Sequence, residues 1–202
     1  MYIAYQYKSF LRNKFMRLFI AIGIDDSVRE GCVKIMGSLK DSGADIRTVR
    51  PENLHVTLKF LGEVREDDVK LITNEMDDFS GSFGPFTLGF STLGFFGNPR
   101  FPRVVWIGIS EGRENVRRMC EDLGKRLFHI RNEDKKPRPH LTLGRVRSPV
   151  NSENLLETIR SMRDVKLGEL RVKEIKLMSS ILGPGGPAYT DIKAFTLRGE
   201  PA

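Results

Sequence analysis

The sequence contains three histidines, and two of them stand in the same short pattern. The segments are His55-Val56-Thr57-Leu58 and His140-Leu141-Thr142-Leu143, which are separated by nearly half of the chain. An imidazole can act as an acid or a base near neutral pH because its unperturbed pKa lies near 6.5. A threonine hydroxyl can donate a hydrogen bond to a non-bridging phosphate oxygen. The repeated pattern therefore indicates an acid–base pair that works on a phosphate.

Both copies fall in predicted strands, over 54–61 and 140–146, and each follows a turn that contains proline. Side chains alternate between the two faces of a strand, so each histidine shares a face with the threonine two positions later. The leucines and the valine of the pattern point to the other face, which we expect to be buried. If the two strands belong to pseudo-symmetric lobes, both pairs can converge in one cleft.

Hydrophobic periodicity predicts the elements that position these strands. Further strands are predicted over 17–23, 46–49, 104–109, 170–182 and 189–197, and helices over 27–40, 65–79, 113–130 and 152–162. This order is α+β with a hint of internal duplication, and no linker rich in Pro, Gly or Ser divides it. We predict one domain of two lobes over 16–202. Residues 1–15 are interpreted as an N-terminal extension, because Met16 could serve as an alternative start.

Composition restricts the class of protein. The chain has 202 residues, of which 40% are hydrophobic, and a net charge of +7, which favours anionic partners such as nucleic acid. Its apolar run at 18–24 is far shorter than the roughly 20 residues that span a bilayer, so we expect a cytoplasmic protein with no membrane partner. Cys32 and Cys120 are predicted to be buried free thiols, and neither has zinc-site spacing.

The flanks of both histidine patterns resemble one family. Arg50-Pro51-Glu52-Asn53-Leu54 followed by HVTLKFLGEV, the later PHLTLGRV, and MRLFIAIGI from Met16 resemble the LigT-like two-histidine phosphoesterases. Among these, the chain is most similar to the RNA 2′,3′-cyclic phosphodiesterases, historically named 2′-5′ RNA ligases, over roughly residues 16–198. The resemblance implies a bilobal α+β fold with pseudo-two-fold symmetry, in which two antiparallel sheets with outer helices surround a central cleft.

The resemblance also implies an activity, namely the opening of a terminal 2′,3′-cyclic phosphate to a 2′-phosphate without a metal or other cofactor. By analogy, His55 would donate a proton to the departing 3′ oxygen and His140 would accept one from water. Thr57 and Thr142 would hold the phosphate. The expected ligands are RNA ends or cyclic nucleotides, and we expect a monomer with no obligatory protein partner.

Two residues that follow the motifs are candidates for substrate binding. Lys59 shares the face of His55 by strand alternation, although a solvated lysine is an equally ordinary interpretation. Arg145 stands where the family commonly has arginine. Strict alternation places it on the face opposite His140, so contact with substrate requires a β-bulge or a strand end.

The remaining candidates lie in loops and near turns. Lys135, Lys136 and Arg138 precede His140 and could steer a phosphate chain, although such runs are solvated in most proteins. Tyr189, like Phe95 and Phe96, lies near a glycine-rich turn and could stack on a base, although aromatics near turns are usually core residues. Trp106, inside an apolar strand, is expected in the core.

Two other functions are compatible with the sequence. The same histidines could form a 2′-5′ bond if a ribose 5′-hydroxyl replaced water. The chain could also be a non-catalytic RNA- or nucleotide-binding module of the same fold. The paired histidines argue against that module, because binding alone requires neither a base nor an acid.

Overall fold

The computed structural model describes residues 15–131, 137–184 and 186–200. Within these residues the chain forms nine strands and four α-helices. The strands are β1 (Phe15–Gly23), β2 (Ile46–Thr48), β3 (His55–Arg65), β4 (Phe86–Asn98), β5 (Phe101–Ile109), β6 (His140–Val146), β7 (Lys166–Val172), β8 (Glu174–Gly183) and β9 (Gly186–Thr196). The helices are α1 (Asp26–Asp41), α2 (Val69–Gly81), α3 (Arg113–Arg126) and α4 (Ser152–Ser161).

The strands form one antiparallel sheet in the order β7-β4-β5-β6-β3-β1-β8-β9, with β2 paired to β6. This order is symmetric about the junction of β6 and β3. We call β1, β3, β8 and β9 the His55 half, and β2 with β4 to β7 the His140 half. The α+β class is confirmed, but the two expected sheets are joined into one. Their junction is the single pair Val56–Leu141.

The helices cover one face of the sheet. Helices α1 and α4 pack against the His140 half, whereas α2 and α3 pack against the His55 half. Side chains from both halves and all four helices form a continuous hydrophobic core, and it includes fully buried Val56 and Leu141. Residues that alternate with these two along β3 and β6 therefore emerge on the opposite face, at the centre of the sheet. No helix in the described part of the chain is long and apolar enough to cross a membrane.

Most predicted elements are confirmed, although the bounds of several differ and one predicted strand is divided. The single strand predicted over 170–182 is two strands, because β7 pairs with β4 in the His140 half and β8 pairs with β1 and β9 in the His55 half. Phe15, assigned to the extension, is the first residue of β1 and lies opposite Arg65. The rest of the proposed extension lies outside the described residues. Cys32 and Cys120 are buried and free, as predicted.

Candidate active site

The four motif side chains emerge around the Val56–Leu141 pair. In an antiparallel register this pair puts His55 diagonally across from His140, with Thr57 beside His140 and Thr142 beside His55. Residues two apart on a strand are about 6.6 Å apart and opposite residues about 5 Å, so the two histidine Cα atoms are roughly 8 Å apart. That diagonal leaves room for one tetrahedral group between two imidazoles.

Both imidazoles are oriented in the same way. His55 Nδ1 donates to the carbonyl oxygen of Asn53 at 2.7 Å, and His140 Nδ1 donates to the carbonyl oxygen of Arg138 at 2.6 Å. A carbonyl oxygen can only accept, so the proton of each neutral ring is on Nδ1 and Nε2 is the atom that faces the reaction. His55 Nε2 also lies 3.0 Å from the Thr57 hydroxyl oxygen.

Aromatic rings surround His55. The Phe19 ring lies 5.0 Å from the imidazole, and the Tyr189 ring meets it edge-on at 5.4 Å. Burial lowers the pKa of His55 below its ordinary value, and the neighbouring His140 lowers the pKa further. The bond to the Asn53 carbonyl opposes this change. His55 is therefore neutral at pH 7 in the free protein.

His140 occupies an equivalent setting in the other half. The Phe96 ring meets its imidazole edge-on at 4.9 Å, and the Trp106 ring lies at 6.5 Å. Burial again lowers the pKa, and the Arg145 guanidinium lowers it further, against the bond to the Arg138 carbonyl. Trp106 was expected in the core, but it is only half-buried and lies on the cleft face of β5.

A pocket of about 380 Å³ lies over the histidines. Its described lining contains three arginines, Arg47, Arg50 and Arg145, and no carboxylate. Such a lining favours an anionic ligand. Among the described residues, no three His, Cys, Asp or Glu side chains come together as metal ligands.

Two β-bulges decide which candidate side chains face this pocket. In the pairing of β5 with β6, Leu143 has no partner residue in β5. This extra residue moves Arg145 to the face of His140, where it lines the pocket. In the pairing of β1 with β3, Leu58 has no partner residue in β1. The next side chain after Thr57 on the face of His55 is therefore Phe60, which lines the pocket, and not Lys59. Lys59 is 5% exposed and does not line this pocket, so its predicted position on the face of His55 is wrong. It lines a second cavity beside the pocket instead.

The other predicted residues are divided between two places. Tyr189 lines the pocket over His55. Arg138 is exposed and lines an adjoining cavity, while its carbonyl holds His140. Lys135 and Lys136 lie outside the described residues.

Sequence reasoning did not single out several pocket residues. Arg50 and Asn53 stand in the segment that carries the family resemblance, so the motif itself could have indicated them. Arg47 had no such signal, because it reaches the pocket through pairing opposite Arg145 in the β2–β6 ladder. Phe60 reaches it only through the β3 bulge.

Comparison with known proteins identifies the family. The profile described as LigT like phosphoesterase matches residues 22–106 and again 107–189, so each match contains one of the two histidine motifs. A protein of Methanothermobacter thermautotrophicus named RNA 2′,3′-cyclic phosphodiesterase is 37% identical over 183 residues, which cover 90% of this chain and 99% of the relative. A protein of Archaeoglobus fulgidus with the same name is 38% identical over 181 residues, covering 89% and 99%.

Solved structures agree. A Thermus thermophilus crystal structure superposes with a TM-score of 0.78 at 29% identity and covers 92% of this chain and all of that one. Apo LigT of E. coli superposes with a TM-score of 0.73 at 25% identity, covering 91% and 98%. The structure of the same protein complexed with 3′-AMP also gives 0.73 at 25% identity, covering 91% and 99%. The chain belongs to the LigT-like phosphoesterase family.

Proposed function

We propose that the protein hydrolyses the terminal 2′,3′-cyclic phosphate of RNA to a 2′-phosphate. The observation that carries this proposal is the diagonal placement of two imidazoles, each with Nε2 facing an arginine-lined pocket. The names of the relatives at 37% and 38% identity support it. The crystal structure of E. coli LigT complexed with 3′-AMP also supports it, because 3′-AMP carries the ribose and phosphate that we expect this pocket to bind.

The reaction requires one base and one acid. His140 Nε2 accepts a proton from water, and the water oxygen attacks phosphorus. The bond between phosphorus and the 3′ oxygen breaks, and His55 Nε2 donates a proton to that oxygen. The hydroxyls of Thr57 and Thr142 donate to the non-bridging oxygens, whose developing charge Arg145 also offsets. No step requires a metal ion, and we propose that this chemistry takes place in the cytoplasm.

The lowered pKa values have a consequence for the acid. His55 is neutral in the free protein at pH 7, yet it must be protonated before it can donate. A bound phosphate anion raises the pKa of a nearby imidazole by favouring its charged form. Binding of the cyclic phosphate is therefore coupled to uptake of the proton that the reaction uses.

The test uses the full chain, an RNA oligonucleotide that ends in a 2′,3′-cyclic phosphate, and EDTA. Phosphorus NMR distinguishes the cyclic ester from the 2′- and 3′-monoesters. We expect complete conversion to the 2′-phosphate. Tight binding without turnover would favour the non-catalytic module instead. Accumulation of a 3′-phosphate would show that the other ester bond breaks.

A further inference from the structure

The pocket over the histidines opens into a second cavity. The two share Thr57, Phe60, Phe96 and His140, so they form one continuous depression. The second cavity has a volume of about 1190 Å³, against about 380 Å³ for the first. Sites for single small molecules have volumes of roughly 300–1,000 Å³. The smaller pocket therefore suits the end of one nucleotide, and the larger cavity is more than such a ligand needs.

Aromatic rings line the larger cavity. Phe60, Phe95 and Phe96 approach it from the sheet, and Phe128 approaches it from the turn after α3. Phe128 is 59% exposed and Phe60 is 44% exposed. Adjacent exposed rings on a protein surface mark an interaction site, and flat aromatic faces suit the stacking of bases.

The charge of the cavity fits a polyanion. The exposed side chains of Lys125 and Arg138 lie along its lining. The carboxylate in the lining is that of Glu121, and Arg117 already pairs with it. Arg117 also pairs with Glu114, so it offsets only part of the Glu121 charge. Phosphates that enter the cavity would therefore meet two exposed cations against one partly offset carboxylate.

We propose that this cavity, the α3 groove (Phe60, Phe95, Phe96, Lys125, Phe128, Arg138), binds the nucleotides that precede the terminal cyclic phosphate. Their bases stack on the phenylalanines, and Lys125 and Arg138 contact the backbone phosphates. This inference rests on the proposed function, because it places the terminal ribose over the histidines. It assigns the preferred substrate as an oligonucleotide rather than a cyclic mononucleotide.

The experiment compares a cyclic mononucleotide with a short RNA that ends in the same cyclic nucleotide. Phe128→Ala and Lys125→Ala alter groove residues that do not line the catalytic pocket. Leu71→Ala and Lys34→Ala are matched controls, since both side chains are exposed on helices outside the groove lining. Turnover is measured on both substrates. Affinity for the RNA is measured by fluorescence anisotropy over a range of salt.

We expect the unaltered protein to have a higher kcat/KM on the RNA than on the mononucleotide. Phe128→Ala should weaken RNA binding about fivefold or more, the equivalent of one lost base stack. Lys125→Ala should also weaken it and should reduce the slope of log affinity against log salt by about 0.7, for one single-strand phosphate contact. Both variants should retain their activity on the mononucleotide, and both controls should behave as the unaltered protein.

Equal kcat/KM on the two substrates, or unchanged RNA affinity in both groove variants, would overturn the groove while leaving the proposed function intact. Absence of turnover on both substrates would overturn the proposed function. The anisotropy measurements would still test the groove in that case, because they do not require catalysis.

Discussion

Asn53 connects the strand of His55 to the β8–β9 hairpin, and we predict that its side chain holds Tyr189 against the imidazole. The Asn53 amide is 7% exposed and donates to the carbonyl oxygen of Pro187 at 2.8 Å. Tyr189 follows two residues later and packs edge-on against His55. Asn53→Ala removes the amide but keeps the backbone carbonyl that orients His55. The tautomer of His55 should therefore survive this change.

The magnitude follows from one hydrogen bond and one ring pair. Loss of a donor to a partly buried carbonyl costs about 1–2 kcal/mol, which in a domain of this size lowers Tm by about 2–8 °C. An aromatic pair contributes about 0.5–1.5 kcal/mol, so displacement of Tyr189 should lower kcat/KM by about 2- to 12-fold.

Thermal unfolding and steady-state kinetics measure the two effects separately. The control is Asn154→Ala, because Asn154 also donates to a backbone carbonyl, that of Ser42, but at 3.5 Å on the exposed surface of α4. It should change neither kcat/KM nor Tm appreciably. Asn53→Asp keeps the side-chain shape but faces the Pro187 carbonyl with a carboxylate. It should be less stable than Asn53→Ala at pH 7 and recover relative to it at low pH, where the acid can donate.

A double variant tests the connection itself. If Asn53 acts through Tyr189, Asn53→Ala combined with Tyr189→Ala should have the same kcat/KM as Tyr189→Ala alone. Fully additive losses, or an Asn53→Ala variant with the Tm and kcat/KM of the unaltered protein, would refute the reasoning.

Other predictions concern the histidines and threonines. Because both histidine pKa values are lowered, the folded protein binds fewer protons than the unfolded chain as pH falls below about 6.5, so the free energy of unfolding should decrease there. Urea titrations at several pH values check this, and the combined His55→Ala and His140→Ala variant should lose part of the slope. The maximum of kcat/KM should lie below about pH 6.5, between the two lowered histidine pKa values. The maximum of kcat should lie at higher pH, because bound phosphate raises the pKa of the acid. A kcat/KM maximum above pH 7 would contradict this prediction. Thr57→Val and Thr142→Val should each lower kcat/KM by about 10- to 150-fold, the equivalent of one charge-assisted hydrogen bond, and Thr142→Ser should retain most activity.

The placement of the four motif side chains on one face could be predicted from the sequence more accurately than the bounds and pairing of the strands. The repeated His-x-Thr pattern is local, and strand alternation alone places each histidine beside its threonine. The faces on which Arg145 and Lys59 lie depend on β-bulges in β6 and β3. Strand alternation does not predict these faces, because one extra residue in a strand moves every later side chain to the opposite face of the sheet. Arg47 and Phe19 depended on strand pairing between distant segments, which a single sequence does not specify.

The break between β7 and β8 has the same origin. The segment over 170–182 is uniformly strand-like, and only the tertiary arrangement requires the chain to pass from one half of the sheet to the other at Lys173. Trp106 was predicted to lie in the core because its strand, β5, is apolar. Such a strand at the centre of a sheet can nevertheless direct one large ring into a cleft on the face opposite the core. There its ring packs against Phe96 and lies 6.5 Å from His140.

The central claim is that His55 is the acid and His140 the base of one reaction, and sulfur substitution tests it most directly. In a cyclic phosphate whose 3′ bridging oxygen is replaced by sulfur, the leaving thiolate needs no proton. On the oxygen substrate, His55→Ala and His140→Ala should each lose about 100-fold or more in turnover. On the sulfur substrate, His55→Ala should recover most of its activity and His140→Ala should not. Recovery of His140→Ala alone would reverse the two roles, and a histidine variant with full activity on the oxygen substrate would contradict the account.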